Sequence, residues 1–224
     1  MPCPKDYSRV DVTGRAYAGS QRQIQTYVNE RHQKLGSAIA QSLSRYSVDE
    51  QDLRWVSPLA SDPYSEYRDS EFLERVGLGH LSTRLIEFWP RGGACSDALA
   101  RTAEGCVLLE AKSHVREIYG GGCGAAPRSR QKIVAALDAT KGWLGVSAAV
   151  DWTGCLYQSA NRYAYLYFLR QIARIPAFLV NVYFIGDPHS RTTRSNWDTA
   201  IEKVNEELGL KGEVPFSGSV FLGV

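Results

Sequence analysis

The chain of 224 residues is short of several things, and each shortage excludes something. It has four histidines, His32, His80, His114 and His189, and neither H-x-x-x-H nor H-E-x-x-H occurs, which argues against histidine-rich metal chemistry. No two of its five cysteines, Cys3, Cys95, Cys106, Cys123 and Cys155, have C-x-x-C spacing. Free thiols in a reducing compartment are therefore expected rather than a disulfide framework or a zinc site. No apolar run approaches the length of a membrane span, and the polar start "MPCPKDYSRVD" has no signal-type apolar core. A cytoplasmic protein with no membrane partner is expected. Charge of one sign is missing too: 26 Lys and Arg stand against 24 Asp and Glu, a net of +2. A polyanion would have to be held by a local patch and not by the field of the whole molecule. The "GGGCG" loop lacks the G-K-[ST] of a phosphate-binding P-loop.

What is present is an ordinary apolar fraction of 44%, enough for a full core. Apolar residues at helical spacing predict an amphipathic helix over Gln21 to Leu43, weakened by Gly36. A linking segment, "SVDEQDLRWVSPLASDP", follows, and a second helix is predicted over Tyr64 to Val76. "LSTRLIEFWP" reads as a strand stopped by Pro90. "SDALARTAEG" and "CVLLEAKSH" read as two strands around the turn at Glu104-Gly105, an antiparallel hairpin. Ser129 is the expected N-cap of the next helix. A buried helix over Leu156 to Ile172, a central strand in "AFLVNVYFIGD", a helix over Trp197 to Leu208 and a last strand in "SVFLGV" complete the order. The expected fold is an α/β domain with a mixed sheet covered by helices. Residues 1–60 are expected to form a helical extension and 61–224 the main domain.

The chemistry gathers on the hairpin. Glu110 and Lys112 stand two apart on a strand and so share a face, with Ala111 on the other. Asp97, on the partner strand, would lie beside Glu110. Two carboxylates, a backbone carbonyl and waters make an all-oxygen site suited to a hard ion such as Mg²⁺ or Mn²⁺. Such an ion polarises a phosphate and lowers the pKa of a bound water. A neighbouring lysine can orient or deprotonate that water, or offset phosphoryl charge. A Glu-x-Lys pair also arises by chance on charged edge strands, so the upstream acid and the apolar lead-in "VLL" matter.

On these residues the sequence resembles the PD-(D/E)XK nuclease superfamily, whose members have the restriction-endonuclease-like fold. Asp97 matches the first acid, Glu110 the second and Lys112 the lysine, with Ser96 where a proline is usual. The likeness is strongest over Leu81 to His114. "EFWPRGGACSDALA", "LLEAKSH" and "YQSANRYAYLYFL" also resemble an uncharacterised bacterial family within that superfamily. The resemblance implies a metal-dependent nuclease acting on nucleic acid, with DNA the first expectation. Its catalytic residues would be Asp97, Glu110 and Lys112, and its Mg²⁺ ligands Asp97, Glu110, the Ala111 carbonyl and Glu66; Gln158 joins the expected catalytic set from its place on the polar face of the buried helix. A non-catalytic binding or regulatory module with the same fold is the alternative, and a homodimer is left open. Within the predicted second helix Glu66 is the preferred additional acid and Asp69 the next. Gln158, Asn161 and Arg162 share one face of the buried helix and need partners, in the site or in a structural brace. Glu87 could join the acids, and Arg116, Arg128, Arg130 and Lys132 could meet a nucleic-acid backbone.

Overall fold

The computed structural model describes residues 2–224. Five strands form one mixed sheet in the order β1 (Arg54–Ser57), β2 (Ala98–Arg101), β3 (Cys106–Lys112), β4 (Ala177–Ile185) and β5 (Ser217–Gly223). β1, β2 and β3 are antiparallel neighbours, while β3, β4 and β5 run parallel. The tight turn after Arg101 suits the antiparallel pair, and helical crossovers serve the parallel ones.

The alternation of β3 sorts its side chains between two cores. Val107, Leu109 and Ala111 pack with Ile24, Tyr27, Leu35 and Ile39 of helices α1 (Gly19–Glu30) and α2 (His32–Ser42). Cys106 and Leu108 face the other layer, which includes α5 (Pro127–Leu144), α6 (Tyr157–Tyr167) and α7 (Arg194–Glu207). Both cores are continuous with the sheet, and the sheet draws on both 1–60 and 61–224 through β1. α6 runs directly into a π-helical turn at Phe168–Ile172.

Several expectations need correction. The helix expected over Gln21 to Leu43 is two helices that break at Arg31 and not at Gly36. The Asn29 amide donates back to the Gln25 carbonyl at 2.7 Å and out to the Pro58 carbonyl at 2.9 Å, competing with the helix ladder at that point. "LSTRLIEF" contains a helix, α4 (Ser82–Phe88), not a strand. Leu81, Leu85 and Trp89 are buried together at spacings of four, and that period overrides the local strand propensity. The strand that completes the antiparallel side of the sheet is instead β1, at its edge beside β2 and inside the segment read as a link. The second helix, α3, is shorter than Tyr64 to Val76: it spans Asp69–Arg75, because the positive φ of its first residue, Asp69, and of Tyr64 before it stops the helix from extending back towards Tyr64. Ser129 is not an N-cap; α5 begins two residues earlier with Pro127 at its first position and Ala126 before it. Finally, Cys3 and Cys95 are joined in a disulfide, contrary to the expectation of free thiols. They are 92 residues apart in sequence, and the bridge is set by the N-terminal segment, whose Cys3 N–H donates to the Glu66 carbonyl at 2.8 Å. Cys106, Cys123 and Cys155 are free.

Candidate functional site

The β2–β3 register builds the site. Ala98 stands opposite Leu109, so one step further Asp97 comes level with Glu110. The Asp97 N–H still donates to the Leu109 carbonyl at 3.0 Å, which holds the acid at the strand end. Its carboxylate accepts from the Ala111 N–H at 2.7 Å. Glu110 and Lys112 project together, and the Lys112 ammonium lies 2.6 Å from Glu110 Oε1.

α6 closes over this pair. Gln158 Nε2 donates to Glu110 Oε1 at 2.8 Å, and Arg162 Nε donates to Glu110 Oε2 at 2.5 Å. The i,i+4 spacing of Gln158 and Arg162 puts both on one helix face and lets them take the two oxygens of one carboxylate. Arg162 also donates to the Cys95 carbonyl and, at 2.9 Å, to Asn161 Oδ1. Glu110 and Arg162 are each only 5% exposed. At that depth an ion pair persists only when its remaining donors and acceptors are met, and here they are.

Glu66 reaches the cluster from outside any helix. It sits in an extended segment bridged to the N-terminus, and its carboxylate accepts from Gln21 Nε2 at 3.2 Å. Glu66 and Asp97 are half-buried. Burial, and then the neighbouring Asp97 charge, push the Glu66 carboxyl up to about 8. Burial, and then the Glu110 charge, push Asp97 up to about 7. Glu110 moves the other way: burial acts to raise it, but Arg162 and Lys112 together hold it below the usual range. Lys112 is raised by Glu110 and Asp97 against its burial, so it stays an ammonium.

The three charged groups of the hairpin, Asp97, Glu110 and Lys112, therefore meet Glu66 and Gln158. Arg162, noted on the sequence only as part of a polar helix face, is the largest favourable charge on Glu110. Its signal was a fixed cation four residues from a polar amide on an otherwise aromatic helix. Asp69 lies outside the cluster; its carboxylate accepts from the Gly92 and Gly93 N–H groups at 2.9 and 3.0 Å and fixes that turn. Glu87 is exposed on α4, not on a strand. Arg130 is spent on the Cys123 carbonyl and Thr153, and Lys132 on the Ile86 carbonyl, while Arg116 and Arg128 are exposed.

The donor set suits a hard divalent ion chemically, since every candidate ligand is an oxygen. Asp97 and Glu66 each accept from a neutral amide, and neither forms an ion pair with a lysine or arginine among the described residues. As it stands, no group of three or more His, Cys, Asp or Glu side chains among the described residues is placed to hold a metal ion. Nor is any helix among them long and apolar enough to cross a membrane. No protein-family model, no curated protein and no solved structure matches the chain.

Proposed function

We propose that the protein is a metal-dependent nuclease that hydrolyses phosphodiester bonds, with DNA the first substrate to test, on a sheet of the restriction-endonuclease-like kind. The observation that carries the reading is the convergence of Asp97, Glu66, Glu110 and Lys112 at one end of the β2–β3 hairpin. In hydrolysis a water oxygen bonds to phosphorus and the bond to the leaving sugar oxygen breaks. The water gives up a proton to solvent and the leaving oxygen takes one. Mg²⁺ or Mn²⁺, held by Asp97, Glu66, Glu110 and the Ala111 carbonyl, would supply a nucleophilic water and offset phosphoryl charge.

The chain's own residues divide the remaining work. Lys112 stays protonated beside Glu110, which suits it to orient a water and to stabilise negative charge on the phosphoryl oxygens, not to act as a base. Gln158 and Arg162 fix the Glu110 carboxylate from two directions, and Arg162 ties it to the strand carrying Asp97 through the Cys95 carbonyl.

A second reading is a binding or regulatory module without catalysis. It is favoured by one observation: both oxygens of Glu110 are occupied by protein donors. The two readings part in an assay of plasmid, linear duplex, single-stranded DNA and RNA with Mg²⁺ or Mn²⁺. The nuclease reading expects cleavage of at least one, lost in Lys112→Ala. Folded wild-type protein that binds the metal and cuts none of them would support the module.

A further inference from the structure

A cleft of about 510 Å³ runs from Glu110 and Lys112 across β4 to the edge strand β5, under α6 and α7. Its floor follows from the register of the parallel strands. Glu110 pairs with Asn181, and Asn181 with Ser219, so one row of the sheet carries three polar side chains on the same face. The adjoining row places Tyr183 beside Lys112. From above, Ser159 and Tyr163, four residues apart on α6, line the same space.

Asn181 is the anomaly in β4, whose other eight residues, in AFLVNVYFI, are apolar or aromatic. A polar group in such a strand normally finds a partner. Yet the Asn181 amide and the hydroxyls of Ser159, Ser219, Tyr163 and Tyr183 make no hydrogen bond within the described protein. Tyr163 and Tyr183 are only 8% and 9% exposed, yet neither hydroxyl is sealed from solvent, so both open into the cleft. The charges bounding the cleft are already paired, Lys112 with Glu110 at one end and Arg45 with Glu213 at the other. What remains is an uncharged surface of donors, acceptors and aromatic groups, with the aliphatic Ile118, Ile201 and Val204 beside them. That suits a flat, neutral ligand with hydrogen-bonding edges better than it suits a phosphate. A carboxamide offers a donor and an acceptor side by side, the complement of a nucleobase edge.

We infer that this cleft receives an unpaired nucleobase beside the bond to be cut, with Asn181 on the base edge, so that single-stranded or locally unpaired nucleic acid is the preferred substrate. The inference rests on the nuclease reading for its substrate class. A base in an intact duplex reaches such a pocket only by leaving its stack, which disfavours fully paired substrate.

The test compares a fluorescently labelled single strand of about twelve nucleotides with an abasic strand of equal length. Binding is measured by anisotropy without added divalent metal. Wild-type protein should bind the strand with bases about tenfold more tightly, in keeping with base-dependent contacts. Asn181→Leu and Ser219→Leu should each bring the two strands close to parity. Ser219 is exposed, so its replacement guards against a folding defect in the Asn181 variant. Equal binding of both strands by the wild type, or a full contrast in both variants, would overturn the cleft. Cleavage with Mn²⁺ is read separately. No cleavage with the contrast intact defeats the nuclease reading alone, whereas cleavage without the contrast defeats the nucleobase cleft alone.

Discussion

Glu110 accepts from Lys112, Gln158 and Arg162, whereas Asp97 and Glu66, in the same cluster, each accept from one neutral amide. The first carboxylate has two cations and is held ionised; the other two share none of their own and are pushed up to about 7 and 8. Burial acts upward on all three, so the difference lies in the partners. The cluster is thus short of positive charge on one side only. A divalent ion on the Asp97–Glu66 side would make the two halves alike.

The comparison breaks most sharply at Lys112. Lys112→Ala should lower the rate of phosphodiester cleavage by about 10²–10³-fold, the scale of one lost electrostatic donor, as measured by single-turnover cleavage of labelled DNA. Because Lys112 is only part-buried and Arg162 still holds Glu110, the loss of stability should be small beside the loss of rate.

Arg162→Met attacks the same half through the fold. It leaves Glu110 buried with its deeper cation gone, a change that costs about 3–5 kcal/mol. Urea denaturation should show a large fall in the midpoint. Adding Glu110→Gln should recover much of it, because the uncompensated charge is then removed. Gln158→Leu removes a single neutral donor from the same carboxylate and should cost about 1 kcal/mol. If Gln158 also orders Glu110 and Lys112 for reaction, the variant should lose activity out of proportion to its change in melting temperature. A loss of stability with full specific activity would make Gln158 a brace only.

The other half should respond to pH with the opposite sign. Asp97 and Glu66 keep protons in the folded protein that the unfolded chain releases near pH 4. Folding therefore takes up protons between about pH 4 and the folded values of about 7 and 8. Over that window the contribution of these two acids to metal-free stability falls as pH rises, and it levels off above it. Glu110, held low, contributes stability that is lost as pH falls into the acid range. Asp97→Asn should flatten the decline and raise the metal-free melting temperature at pH 8 by a few degrees, as followed by circular dichroism.

The hairpin was legible in the sequence because a period of two and a short turn are local signals. They put Asp97, Glu110 and Lys112 together with no knowledge of the rest of the chain. The i,i+4 spacing of Gln158 and Arg162 was equally local, although the acid they share was not. Where the reading failed, the deciding contact was distant. The Cys3–Cys95 bridge joins segments 92 residues apart, and β1 earns its strand geometry by pairing with β2, not from its own four residues. α4 was misread because its aromatic and β-branched residues mimic a strand, while the spacing of Leu81, Leu85 and Trp89 that determines its packing spans nine residues. Glu66 reaches the cluster from an extended segment, so helix geometry could not have located it.

The most direct test of the charge shortage is a calorimetric titration of wild type and Asp97→Asn with Mn²⁺ at pH 7, repeated in buffers of different ionisation enthalpy. If the Asp97–Glu66 side takes the cation, the wild type binds Mn²⁺ and releases protons as it does so, because carboxyls held near neutrality must ionise to become ligands. Asp97→Asn should bind much more weakly and release fewer. Absence of binding, or equal binding and proton release in the two proteins, would contradict the account.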